Sequence, residues 1–324
     1  MRDKWIRIIS AFLVGAAHLG CGQPIPDCDS SQCTADASTG SGDVVLSTET
    51  ETPHLRGAYT RVYRPSGTRY LNDHTVVRGR DGRWHVYGIT HESEGMPFAE
   101  RSLLHASAPA LQGPWSDEPD ILMAQGGEQA LWAPYAFEDS PGHWVMYFYA
   151  STPDRRVQRA DSSDLRRWTR STWTAPGGRD PFVLRVGQRW LLYSVGVSAE
   201  SRGQILVTES TDLEHWGPVT VALEDPVPSF GWGNLESPTV VFRSGIYYLF
   251  VTQTSESPID YVRTVVVAST EPTRFTWSPV TEIFSHAAEV VMDGDAMFLT
   301  SAGWTSEVGE RWRGLSIAPL GWSR

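Results

Sequence analysis

Lysine is nearly missing from these 324 residues: Lys4 is the only one. The body of the chain therefore has no P-loop lysine, no Schiff-base lysine and no lysine general base. Cysteine is confined to Cys21, Cys28 and Cys33. Everything after residue 33 thus lacks a thiolate nucleophile, a cysteine zinc site and a redox pair. Positive charge is scarce as well, with 27 Lys and Arg against 38 Asp and Glu and a net charge of −11. A body that acidic carries no footprint for nucleic acid or for an anionic bilayer, so neither is expected as a partner. The nine histidines include no His-x-His or His-Glu-x-x-His spacing, so no metal ligands are assigned. Helical periodicity is hard to find anywhere after the leader.

What is present begins with an export signal. Arg2, Lys4 and Arg7 precede an apolar run over residues 8–17 that is too short to span a bilayer. Leu19-Gly20-Cys21 follows, and residues 1–20 are expected to be a signal peptide. The junction resembles the bacterial lipoprotein signal, which implies lipid on Cys21; plain secretion with Cys21 left free is the alternative. Either way the protein is expected to be exported, as a cell-envelope lipoprotein or a secreted protein, touching a membrane only through that lipid. Cys28 and Cys33 would then remain as an even pair, suited to a small disulfide. Residues 21–53 are rich in Ser, Thr, Asp, Gly and Pro and hold too little apolar surface to offset ordering entropy. They are expected to be a disordered tether, and residues 54–324 a folded body that acts as a monomer.

That body repeats itself about every fifty residues. Asn72-Asp73-His74-Thr75 leads to Asp81-Gly82-Arg83-Trp84, and Trp132-Ala133-Pro134-Tyr135 leads to Gly142-His143-Trp144. Arg179-Asp180-Pro181-Phe182 leads to Gly187-Gln188-Arg189-Trp190, and Glu236-Ser237-Pro238-Thr239 to Gly245-Ile246-Tyr247. A weaker fifth copy joins His286-Ala287-Ala288-Glu289 to Asp293-Gly294-Asp295. Each is a pair of β-rich runs around a Gly turn, which is a hairpin. A second hairpin follows in each unit and ends at Trp115, Trp168, Trp216, Trp277 or Trp322. Two hairpins make a four-stranded sheet, and five such sheets predict an all-β, five-bladed β-propeller. The fifth unit is short on its outer side, so residues 58–63 are expected to supply a strand that closes the ring.

The first strand of each blade lines the central channel, so its starting residues converge at one mouth. In register these are Asn72-Asp73, Trp132-Ala133, Arg179-Asp180, Glu236-Ser237 and His286-Ala287. Gathered carboxyls repel one another and split their pKa values, so that one can stay protonated while others ionise. Two carboxyls flanking a glycosidic bond are the minimum machinery of glycoside hydrolysis. One feature of the register conflicts with this. Glu236 falls one residue before the column of Asp73 and Asp180, and regular strand alternation would turn it to the opposite face. Only an irregular strand start brings all three acids together.

These motifs resemble the five-bladed propeller glycosidases, the superfamily of glycoside hydrolase families 43, 32, 62 and 68. Asn72-Asp73 is similar to the Asn-Asp-Pro opening of family 32, with His74 in place of proline. Arg179-Asp180-Pro181 is similar to the Arg-Asp-Pro motif, and Glu236-Ser237-Pro238 stands where family 32 usually has cysteine after the acid. Trp132-Ala133-Pro134 and His286 look more like family 43. The resemblance implies an exported glycoside hydrolase acting on arabinofuranosides, fructofuranosides or xylosides, with an oligo- or polysaccharide as its partner. It implies Glu236 as general acid, Asp73 as nucleophile or as base for water, and Asp180 as the group that fixes the sugar. Asn72, Trp132, Arg179, His286 and Trp232 are the expected substrate-binding residues. No cofactor is required; some relatives hold a structural calcium in the channel. The competing reading is a non-catalytic propeller that binds glycans or a protein at the surface.

Most of the 14 tryptophans have a plainer use. Trp84, Trp144 and Trp190 share one blade position and the second-hairpin tryptophans another, which predicts packing between blades. Trp132, Trp232 and Trp304 stand outside both columns, near loops of the channel mouth, where an indole could stack on a sugar or simply fill the core.

Overall fold

Alternating apolar runs separated by glycine turns leave the chain few options other than antiparallel hairpins. Each hairpin sheet must then bury both faces against its neighbours. The computed structural model describes residues 49–152, 156–229, 233–256, 259–304 and 313–324. The leader, Cys21 with the other cysteines, and Trp232 lie outside the described residues.

Two strands, β1 (Thr52–Leu55) and β2 (Thr60–Tyr63), come first. Blade I follows with β3 (Asn72–Arg78), β4 (Trp84–Thr90), β5 (Ser102–Ala108) and β6 (Ser116–Met123). Blade II holds β7 (Leu131–Ser140), β8 (His143–Ala150), β9 (Val157–Ser162) and β10 (Thr169–Ala175). Blade III holds β11 (Arg179–Val186), β12 (Arg189–Val197), β13 (Arg202–Ser210) and β14 (Thr220–Pro228). Blade IV opens with β15 (Leu235–Arg243) and β16 (Ile246–Gln253). A small hairpin, β17 (Ser255–Glu256) and β18 (Ile259–Asp260), then precedes its outer strands β19 (Arg263–Ser269) and β20 (Pro279–Phe284). Blade V is β21 (Val290–Asp293), β22 (Ala296–Ser301) and β23 (Leu315–Ser323), and β1 and β2 both pair with β23. Five antiparallel sheets, each meandering outward from an inner strand, make the five-bladed β-propeller that the repeat predicts.

The core lies between blades rather than at the axis. Trp84, Trp144 and Trp190 are buried, as their shared column predicts. Two of the second-hairpin tryptophans pack edge-on against the blade before: Trp168 on Tyr87 and Trp216 on Tyr147 meet at 87° and 76°. The tyrosines also lock the blades through hydrogen bonds. Tyr87 donates to the Leu165 carbonyl of the next blade. Tyr147 donates to Leu213 O and Tyr193 to Pro272 O, both at 2.7 Å. In blade IV the equivalent register position is Phe250, which keeps the edge-on contact with Trp322 at 6.4 Å.

Ring closure differs in part from the expectation. Residues 58–63 do supply a strand, β2, but it covers only one end of β23, opposite Leu315–Ile317. The other end, Leu320–Ser323, pairs with β1. Thr52 and Pro53, expected to belong to the tether, are therefore part of the propeller. The seam with blade IV is held by the ion pair of Glu51 with Arg243 and by Glu51 N donating to Tyr248 Oη at 2.8 Å. The seam with blade I is held by Tyr63, which donates to Asp117 at 2.6 Å and packs on Trp115. A chain beginning at Arg56 loses β1 and leaves the Leu320–Ser323 edge of β23 unpaired. Its melting temperature should fall by on the order of 5 °C or more, while a chain beginning at Glu49 should melt like the full-length protein.

Candidate active site

The inner strands begin at one mouth, and in blades I to IV a β-bulge at the start decides which side chains face it. In blade III, Arg179 pairs with Val195 and Phe182 with Tyr193, so Asp180 and Pro181 oppose a single residue. Blade II makes the same slip between Trp132 and Tyr135, and blade IV between Glu236 and Thr239. In blade I the extra residue is Asp73. In blades II to V the residue after the leading side chain takes a left-handed backbone: Ala133 (φ 45°), Asp180 (φ 56°), Ser237 (φ 50°) and Ala287 (φ 48°). A bulge turns two successive side chains toward the same side of the sheet. The alternation that would have turned Glu236 away is broken where it matters, and Asp73, Asp180 and Glu236 meet.

They meet around one arginine. Arg179 Nη1 lies 2.8 Å from Asp180 Oδ2 and 2.9 Å from Glu236 Oε1, and Nη2 donates to Leu235 O at 3.3 Å. Ser237 completes the ring: its hydroxyl donates to Asp73 Oδ1 at 2.9 Å and its backbone N–H to Asp180 Oδ2 at 3.2 Å. Asp180 is 5% exposed, and Asp73 and Glu236 are partly buried. Beside them a small cavity opens to solvent, lined by Asp73, Asp180, Ser237, Tyr135, His74 and Glu289 among others.

Three carboxyls share one guanidinium, and the electrostatics follow from that shortage. Burial, together with the charges of Asp180 and Glu236, raises Asp73 well above the usual carboxylate range. Asp180 is raised by burial too, with Arg179 pulling it down and Glu236 pushing it up. Burial works against the charge of Arg179, but Asp180, Glu236 and Asp73 outweigh it and hold the guanidinium above its ordinary pKa. Like charges this close cannot all ionise cheaply, which disfavours ionisation of both Asp73 and Asp180.

The other expected binding residues divide. His286 is 2% exposed, its Nδ1 donating to Tyr261 O at 2.6 Å and its Nε2 3.0 Å from Asn72 Oδ1. Both ring nitrogens are thus engaged by protein, and His286 acts on the mouth through Asn72. Trp132 stands at the start of β7 among Phe98 and Tyr149. Trp304 is partly buried and meets Tyr70 edge-on at 6.0 Å.

Three residues near the site escape sequence reasoning. Ser237 reads only as a substitute for cysteine, yet it bonds two of the acids. Tyr261 follows the β17–β18 insertion and sits 6.1 Å from the His286 ring. Glu100, in the loop before β5, is 2% exposed and accepts from Trp132 Nε1 at 2.6 Å and from Tyr70. Tyr261 and Glu100 lie outside the repeat columns.

The channel bears on the calcium ion that the resemblance allows. Such an ion asks for six to eight oxygen ligands. The carboxyl of Glu289 is committed to Val76 N at 2.8 Å and Thr75 Oγ1 at 3.3 Å. Burial raises it to about 8, against the charge a cation needs. Among the described residues no group of three His, Cys, Asp or Glu is placed to hold a metal. The residues here do not fit a calcium ion.

No family model matches the chain. It is 22% identical over 215 residues to a probable arabinan endo-1,5-alpha-L-arabinosidase C of Aspergillus flavus and of Aspergillus oryzae, a match covering 60% of this chain. The chain spans 63% of the length of those curated relatives. Among solved structures, the GH43_1 enzyme from Xanthomonas citri superposes with a TM-score of 0.61 at 16% identity, covering 81% of this chain and 90% of that one. That enzyme has also been solved in complex with xylotriose. The Bombyx mori GH32 beta-fructofuranosidase BmSUC1 superposes with a TM-score of 0.59 at 14% identity, covering 85% of this chain and 62% of that one. The five-bladed propeller thus has structural neighbours in both glycoside hydrolase families.

Proposed function

We propose that the protein is an exported glycoside hydrolase that cleaves xylosidic or furanosidic bonds, with arabinofuranosides and fructofuranosides as the furanosidic candidates. The observation that carries this reading is the trio Asp73, Asp180 and Glu236, drawn from three blades and joined around Arg179 and Ser237. A purely binding face would have no need to bury carboxyls against one another. The solved neighbours that act on xylose and fructose units, and the arabinosidase relatives, support the same substrate class.

In this reading Glu236 protonates the leaving oxygen and Asp73 acts at the anomeric carbon, directly or through water. Asp180, fixed by Arg179 and by Ser237 N–H, holds the sugar and stabilises the positive charge that develops on it. Trp132 and Asn72 line the sugar site, with His286 holding Asn72. The leader at residues 1–20 and Cys21 support export, with lipid on Cys21 as the anchor. The test is a panel of nitrophenyl β-xyloside and α-L-arabinofuranoside, linear arabinan and sucrose, with Asp73→Asn as control. Turnover of one of these by the native protein and not by the variant is expected. Sugar binding without turnover on any of them would instead favour a non-catalytic surface propeller.

The pH profile should be bell-shaped, because only the one-proton state of the trio holds both an acid and a base. The charge of Asp180 helps to keep the proton on Asp73. In Asp180→Asn the base Asp73 gives up its proton at lower pH, so the acid limb of the residual activity should move down the pH scale. An acid limb that stays in place would contradict the coupling of the two aspartates.

A further inference from the structure

Two buried carboxyls beside the hub take no part in the chemistry proposed above. Glu289 is committed to the backbone and hydroxyl of blade I. Glu100 is different, because both of its oxygens are aimed at aromatic side chains. One accepts from the Tyr70 hydroxyl and the other from the indole N–H of Trp132 at 2.6 Å. Tyr70 is itself fully buried, and Glu100 O accepts from Leu131 N at 2.8 Å, which ties the loop to the start of β7. Burying a carboxyl is costly unless something is gained from it, and an apolar residue would have filled this space at less expense.

The gain lies in the geometry of Trp132. Its ring stacks on its cross-strand partner Tyr149, with 5.9 Å between centroids and 11° between planes, and Phe98 leans on it at 5.6 Å. Stacking fixes the plane of the ring more tightly than it fixes which edge carries the N–H. The N–H bond to Glu100, seconded by Pro97 O at 3.2 Å, removes that freedom. Accepting the N–H bond also pushes electron density from the carboxyl into the indole, which makes the ring face more negative, and the C–H bonds of a sugar carry the complementary polarity.

We propose that Glu100 is a positioning residue that, together with Tyr70, fixes the Trp132 indole as a wall for the sugar held at the hub. The inference rests on the glycosidase reading but assigns a residue that the reading does not use. Glu100→Gln keeps the shape and one acceptor oxygen, which can serve Trp132 or Tyr70 but not both.

The test is a double-mutant cycle on sugar binding, so that it does not depend on turnover. Xylotriose and arabinotriose are titrated calorimetrically into the Glu236→Gln protein carrying Glu100→Gln, Trp132→Phe or both. Glu100→Gln should weaken binding about tenfold, and the double variant should bind no worse than Trp132→Phe alone. In the active enzyme the same change should raise KM and leave kcat within about threefold. An unchanged Kd, or a Glu100 effect that persists undiminished without the indole, overturns the proposal. Should Glu100→Gln fail to fold, Tyr70→Phe decides by the same cycle: weaker binding that vanishes beside Trp132→Phe supports the proposal, and unchanged binding overturns it. If the Glu236→Gln protein binds neither sugar, the glycosidase reading falls and takes this one with it. If it binds them and Glu100 has no effect, only the positioning role falls.

Discussion

Glu236→Gln should lower hydrolysis of an ordinary glycoside by about 10²–10⁴-fold, the usual contribution of a positioned general acid. The amide keeps the size of the side chain and an oxygen that Arg179 Nη1, now 2.9 Å from Glu236 Oε1, can still reach. Asp180 keeps its own bond to the same nitrogen at 2.8 Å. One negative charge is also taken out of a cluster in which Glu236 raises both Asp73 and Asp180. The melting temperature should therefore stay level or rise while activity collapses, the pattern expected of a residue kept for function at some cost in stability. Leaving-group chemistry separates the acid role from a general injury to the site. A dinitrophenyl glycoside departs without help from a proton, so the variant should recover most of its rate on that substrate. An equal loss on both substrates would remove Glu236 from the role of acid.

Arg179→Met should produce the largest loss of stability among the site variants. It leaves Asp73, Asp180 and Glu236 facing one another without the guanidinium that now bonds two of them. Breaking a buried ion pair from one side costs roughly 3–5 kcal/mol. At about 2–4 °C per kcal/mol for a domain of this size, that is a fall on the order of 10 °C. The pH dependence fixes the cause. Asp73 and Asp180 already lie above their unfolded values in the native site, and losing Arg179 raises them further. An acid whose folded pKa is raised contributes full stability below its unfolded pKa and loses it as pH rises through the folded value. Thermal melts of the variant should therefore fall furthest below native at pH 8 and recover toward it near pH 4. A deficit that is the same at both would point to lost packing of the arginine side chain instead.

The repeat made the blades legible because each one needs the same apolar alternation and the same turn glycines. The closing strand β1 was not, since Thr52–Leu55 is joined to β23 by backbone pairing and carries no apolar pattern of its own. The leading dipeptides of the inner strands could be read off as columns, and those columns named five of the residues that surround the mouth. Their common orientation could not be read. It depends on left-handed backbone at Asp180 and Ser237, and neither residue type announces that conformation. His286 shows the opposite limit: its place was evident, but its engagement by Tyr261 O depends on an insertion outside the repeat. Glu100 and Tyr70 come from loops with no counterpart in the other blades, so no comparison within the chain could single them out.

The offset at the head of the inner strands in blades I to IV has a wider implication. A regular strand would lend the axis one side chain from its leading pair, whereas these strands lend two. Four blades thereby furnish eight addresses around the mouth, occupied here by Asn-Asp, Trp-Ala, Arg-Asp and Glu-Ser. These addresses differ in freedom: Arg179 holds the acids together and Trp132 is wedged among aromatics, whereas Ala133 contributes only a methyl group to the cavity wall. A new specificity on this scaffold is most readily written at Ala133, by a residue that tolerates its left-handed turn.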